Sequence, residues 1–236
     1  MLLVAGAGQA HAQAVQGPSL TVEAVSDYRD RGLSWSRGRP ALAVFGAMPL
    51  AGPVGIEGSA MALRHSAWGG GGDIAMTLGA RFRGEGALRL SGGATARLFP
   101  GTSALHYGEV DIRADHDLGP ASFGVGISYA PHQRAIGGDN IHIDAGVTWN
   151  VPGMPLTVKG AVGHSSGTVR EDLRAVRLRP GGAYADWRLG LDYRVGLVSI
   201  GLRYTDTSIG RDADRSGLSD RHVGARITGL VRVDIQ

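Results

Sequence analysis

Asp186-Trp187-Arg188-Leu189-Gly190-Leu191-Asp192-Tyr193-Arg194 alternates polar and apolar residues almost without error, and after Val195, Gly196 and Leu197 the pattern resumes as Val198-Ser199-Ile200-Gly201-Leu202-Arg203-Tyr204-Thr205. A period of two is the mark of a β-strand with one greasy and one polar face. The same alternation returns about a dozen times between Leu20 and Ile235, and no segment supplies a second apolar layer to cover the greasy face. Lipid is the natural partner of such a face, and strands cross lipid only when closure pairs every backbone group. The expected fold is all-β, an antiparallel up-and-down transmembrane β-barrel of about 12 strands.

Working outward, the alternating segments fall near 19–29, 40–49, 54–64, 73–83, 87–98, 105–116, 121–130, 141–151, 156–164, 184–194, 198–206 and 224–235. Their length suits the roughly 9–11 residues that a tilted strand needs to cross the hydrocarbon layer. Connectors alternate between two classes. The short ones, 50–53, 84–86, 117–120, 152–155 and 195–197, carry Gly or Pro turn chemistry. The longer ones are 30–39, 65–72, 100–104, 131–140, 165–183 and 206–222. Short turns on one rim and long loops on the other are the arrangement of bacterial outer-membrane barrels, with both termini on the short-turn side.

Aromatic residues give a separate check, because rings on the lipid face gather at the two interfaces. On apolar parity, Tyr28, Tyr129, Trp187 and Tyr204 fall at the long-loop ends of their segments, and Phe82, Phe123, Trp149 and Tyr193 at the short-turn ends. A soluble β-sandwich or lipocalin-like binding barrel is the competing expectation, but it has no reason to sort loop lengths by side.

Composition fits the same picture. Hydrophobic residues make up 43% and charged residues 19%, values that hide membrane strands because alternation dilutes hydropathy. No run approaches the roughly 18 apolar residues of a membrane helix. The chain has 39 glycines, no cysteine and a net charge of +3 carried almost wholly by scattered arginine; nucleic-acid binding would want that charge gathered on one face. Residues 1–12 read as the remnant of a secretory signal, with Ala10-His11-Ala12 as a small-x-small cleavage site. Residues 13–236 are then a single barrel domain.

Residues 26–42 read Ser-Asp-Tyr-Arg-Asp-Arg-Gly-Leu-Ser-Trp-Ser-Arg-Gly-Arg-Pro-Ala-Leu. This stretch resembles the first-hairpin signature of the TorF-type porin family of proteobacteria, S-D-Y-x-x-R-G-x-S-x-S-x-G-x-P-A-L, through Ser26, Asp27, Tyr28, Arg31, Gly32, Ser34, Ser36, Gly38, Pro40, Ala41 and Leu42. Asp30 departs from it where an aromatic is expected, and the chain ends without a terminal aromatic. The resemblance implies an outer-membrane barrel that conducts, surrounded by lipid and lipopolysaccharide and inserted by the barrel-assembly machinery. It brings no catalytic residues and no cofactor.

Residues opposite the apolar parity are expected to face the lumen: Arg81, Arg89, Arg97, Glu109, Asp111, Arg113, Asp115, Asp144, Arg188, Asp192, Arg203 and Arg226. They could wall a water-filled pore for small polar or charged solutes, or neutralise one another and fill the barrel as a non-conducting scaffold. Other constellations read more weakly. Asp212, Asp214 and Asp220 imitate a calcium loop, yet Val223 stands where the bidentate Glu belongs, and Arg211, Arg215 and Arg221 would repel a cation. His164 beside Ser165 and Ser166 lacks a third catalytic member, so no enzyme is expected. Arg170, Arg174, Arg177 and Arg179 give the longest loop a basic character suited to lipopolysaccharide phosphates. The run from Gly69 to Gly72 lacks the Lys of a phosphate cradle.

Overall fold

The computed structural model describes residues 17–66, 72–210 and 223–235. Within them, twelve strands close into one antiparallel barrel: β1 (Ser19–Val25), β2 (Ala41–Ala51), β3 (Val54–Ala62), β4 (Ile74–Arg83), β5 (Leu88–Leu98), β6 (Tyr107–Leu118), β7 (Ala121–Gln133), β8 (Gly138–Asn150), β9 (Leu156–Ser166), β10 (Tyr184–Val195), β11 (Val198–Thr207) and β12 (Arg226–Ile235). Each strand pairs with its sequence neighbours, and β1 pairs with β12 from Leu20↔Ile235 to Val25↔Leu230. This is the up-and-down barrel expected from the alternation.

The stretch that decides the fold forms the β10–β11 hairpin, with Tyr193↔Ile200, Leu191↔Leu202 and Leu189↔Tyr204 in register. Leu189 is 60% exposed and Ile200 58%, so this parity points away from the barrel, while Asp186, Asp192 and Thr205 are buried on the other face. Outward leucine, isoleucine, valine and alanine form a continuous apolar belt.

Two boundaries differ from the sequence reading. Strands β7 and β8 run on to Gln133 and from Gly138, leaving only a 3-10 turn, Arg134–Ile136, where a ten-residue loop was expected. Strand β1 stops at Val25, and the next residues fold inward as a small hairpin pairing Arg29–Asp30 with Leu33–Ser34.

That inward hairpin places an apolar core inside the long-loop half of the barrel. Tyr28, Leu33 and Trp35 of the hairpin pack with Leu63, Phe99, Tyr107, Ile136, Leu178 and Tyr184 from the wall and the long loops. Trp35 stacks on Phe99 with ring centroids 6.2 Å apart, and Phe99 on Tyr107 at 6.4 Å. Even Ala41, Ala43 and Phe45 of β2 turn inward. The second apolar layer that the alternation lacked is therefore small, and it lies within the lumen.

Candidate functional site

The interior divides into an open half and a filled half. From the short-turn rim, at Gly119, Pro120 and Gly153, a cavity of about 650 Å3 reaches up to Asp27, Tyr28 and Arg29 at the base of the hairpin. Its wall is a mosaic of ion pairs. Arg81 bridges Glu57 (2.7 Å) and Asp111 (2.6 Å), Arg113 bridges Asp115 (3.0 Å) and Asp144 (2.9 Å), and Asp192 receives both Lys159 (2.9 Å) and Arg203 (2.6 Å). Arg89 pairs with Asp117 near the rim, and Arg232 with Glu23 across the β12–β1 seam at 2.6 Å.

The register explains how these pairs form. Gly126 lies between Arg113 and Asp144 on one rung, since Arg113↔Gly126 and Gly126↔Asp144 are both partners. A Cβ on Gly126 would stand 2.8 Å from Asp144 Oδ1 and 3.2 Å from Arg113 Nη1. The bare strand is a saddle over which arginine reaches a carboxylate two strands away. Gly93 separates Arg81 from Asp111 in the same way. Glycine inside a strand thus clears room for charge.

The filled half is built on the signature stretch. Asp27 Oδ1 accepts hydrogen bonds from Ser34 Oγ (2.5 Å), Ser36 Oγ (3.0 Å) and the Gly38 amide (3.2 Å), and Oδ2 accepts one from Arg29 Nε (2.9 Å). One buried carboxylate therefore holds both arms of the hairpin. Gly32 turns its tip at φ +75°, where a Cβ would collide with Thr207 Cγ2; only glycine meets both demands. Beside it, Arg31 donates to Glu109 Oε1 (2.9 Å), and Arg97 donates to Glu109 Oε2 (2.9 Å) and to Asp30 (3.3 Å). Arg97 also lies over Trp35, 5.4 Å from the ring centroid. Tyr184 Oη closes the latch by donating to the Arg31 carbonyl at 3.1 Å.

Of the lumen candidates, Arg81, Arg89, Asp111, Arg113, Asp115, Arg188 and Arg203 stand on the cavity wall. Asp144 and Asp192 are buried behind their partners, Arg226 is exposed at the outer end of β12, and Arg97 and Glu109 belong to the latch rather than to a wetted wall. Phe82, Phe123, Tyr129, Trp149 and Tyr193 point outward and exposed, with Trp187 and Tyr204 half-buried in the same outward register.

Tyr28 is the correction. It is buried inside the plug rather than facing lipid, because the chain leaves β1 at Val25 and turns in, and burial holds its phenol well above the ordinary value. Arg177 and Arg179 are likewise not displayed. Arg177 donates to the Ala135 (2.7 Å) and Leu105 (3.2 Å) carbonyls and lies 4.9 Å from the centroid of Phe99, while Arg179 binds the Asp139 and Thr168 carbonyls. These backbone carbonyls are brought close only by the fold.

His164 is exposed on the outer face and Ser165 is fully buried on the inner one. Ser165 meets His142, at 2.9 Å from Nδ1, a pairing that strand parity made available but linear proximity to His164 obscured. The stretch holding Asp212, Asp214 and Asp220 lies outside the described residues, as do residues 1–12 and Gly69 to Gly71.

A twelve-stranded barrel with an apolar outside and a polar inside is the architecture of a membrane-spanning β-barrel. The chain belongs to a family described as "Bacterial protein of unknown function (Gcw_chp)", whose model matches residues 9–225. No curated protein matches it in sequence. Among solved structures it is similar to the NanC porin (TM-score 0.61, 11% identity, covering 92% of this chain and 99% of that one) and to the KdgM porin (TM-score 0.59, 8% identity, 92% and 99%). A second KdgM porin structure, in complex with disordered oligogalacturonate, matches with TM-score 0.57 at 8% identity over the same shares. At such identities the likeness is one of fold.

Proposed function

We propose that this protein is a bacterial outer-membrane channel for passive diffusion of small polar or charged solutes. The observation that carries the reading is the pairing of an unbroken apolar outer belt with a polar cavity of about 650 Å3 open at the short-turn rim. An outside that prefers lipid and an inside that holds water are what a solute path through a membrane requires. The fold shared with the KdgM and NanC porins supports it, as does the TorF-type signature in residues 26–42. Lipid and lipopolysaccharide are then the surroundings of the belt, the barrel-assembly machinery inserts it, and catalysis has no part.

A second reading, a non-conducting scaffold, draws on the plug that fills the outer half. Planar bilayers decide between them. Purified protein is expected to give reproducible conductance steps at moderate salt, small for a twelve-stranded barrel because the latched hairpin narrows the path. Silence across voltages and salts, from protein that migrates as a heat-modifiable barrel on gels, would leave the scaffold.

A further inference from the structure

Where the hairpin tip meets the wall, charge can be matched pair by pair. Asp144 accepts from Arg113 and Asp30 from Arg97, while Glu109 is held by Arg31 and Arg97. Two opposite charges on β10 are left without such closure. Arg188 lines the cavity and alone among the cavity-lining cations makes no hydrogen bond or ion pair among the described residues. Asp186, two residues further toward the plug on the same face, keeps Oδ2 buried and unpartnered, 3.9 Å from His142 Nδ1. Asp144 Oδ1 is also buried without a partner. Gly163 keeps the ground between them clear: a Cβ there would lie 2.8 Å from Asp186 Oδ2 and 2.9 Å from His142 Nε2.

Orphaned polar atoms in an interior call for company, and this site asks for both signs at once. We propose that Arg188 and Asp186 form a recognition site for a small zwitterion, a solute carrying one carboxylate and one ammonium group a few bonds apart, as in a free amino acid. The guanidinium fork fits a carboxylate bidentately, and the free oxygens of Asp186 and Asp144 accept from the ammonium. A lone anion would answer Arg188 and leave Asp186 uncompensated; a lone cation would do the reverse. The role of the site, selection at the inner face of the plug, rests on the channel reading above, but binding does not need transport.

The test is equilibrium titration of the full chain in detergent with free glycine, against acetate and ethylamine at equal ionic strength, read by calorimetry or ligand-observed NMR. Glycine is expected to bind at least about tenfold tighter than either single-charge control. Arg188→Gln and Asp186→Asn are each expected to bring it down to their level, and Arg188→Lys, which keeps the charge but loses the fork, to lower it partway and to serve if the other variants do not fold. Acetate binding as well as glycine, or glycine binding indifferent to both β10 substitutions, overturns the proposal. Glycine binding by a protein silent in bilayers would sustain it while the channel reading fails.

Discussion

The short-turn rim and the plug use the same chemistry, arginine against carboxylate, in different solvents. At the rim, Arg89 and Asp117 pair where the Asp117 side chain is 44% exposed; water screens such a pair and leaves it worth about 0–1 kcal/mol. In the plug half, Arg31, Arg97 and Glu109 are all buried, Arg97 against the Trp35 ring, and removing one partner strands the others at a cost of about 3–5 kcal/mol. Identical pairs therefore set a local field at one end of the barrel and fasten a structural part at the other.

Substitution can break that contrast. The largest effect is expected from Glu109→Ala, which leaves two buried guanidinium groups without their shared carboxylate. Destabilisation of about 3–5 kcal/mol should appear as a lowered urea midpoint for loss of heat-modifiable migration, accompanied by larger conductance as the hairpin leaves the lumen. Asp27→Ala comes next, since it removes a charged acceptor serving four donors. A loss of about 2–3 kcal/mol is expected to free Trp35, giving red-shifted emission and iodide quenching where the wild type resists it. Smallest is Arg89→Ala: no more than about 1 kcal/mol in stability, with Trp35 emission unchanged. If Arg89→Ala proved as costly as Glu109→Ala, rim and plug would not differ as described.

What the sequence made readable follows the same division. All twelve strands were legible because a strand between lipid and water must alternate, and the β10–β11 stretch does so on both sides of its turn. The aromatic belts were legible for the same reason, except Tyr28. Its parity continued that of β1, but Asp27, Ser34 and Ser36 draw the chain out of the sheet. Asp27 sits seven and nine positions before two serines, a spacing that a carboxylate cage could have suggested. The latch itself was not legible. It joins Arg31 to Glu109 and Tyr184 to Arg31, contacts between residues 78 and 153 apart in sequence, and alternation says only that such residues face inward. Likewise, Arg97 and Glu109 read as pore wall because parity cannot distinguish wet interior from dry.

The seam between β1 and β12 bears on how the molecule is made. Glu23 and Arg232 are 209 residues apart in the chain, so their union waits until the last strand exists, and closing so long a loop is entropically the slowest of the pairings. The hairpin that begins at Ser26 precedes eleven of the twelve barrel strands in the chain and is enclosed only when that last pairing forms. Assembly thus resembles packing a case before shutting the lid. A hairpin still loose at that moment would have to enter through the long-loop rim, so the Asp27 cage serves folding order as much as the finished shape.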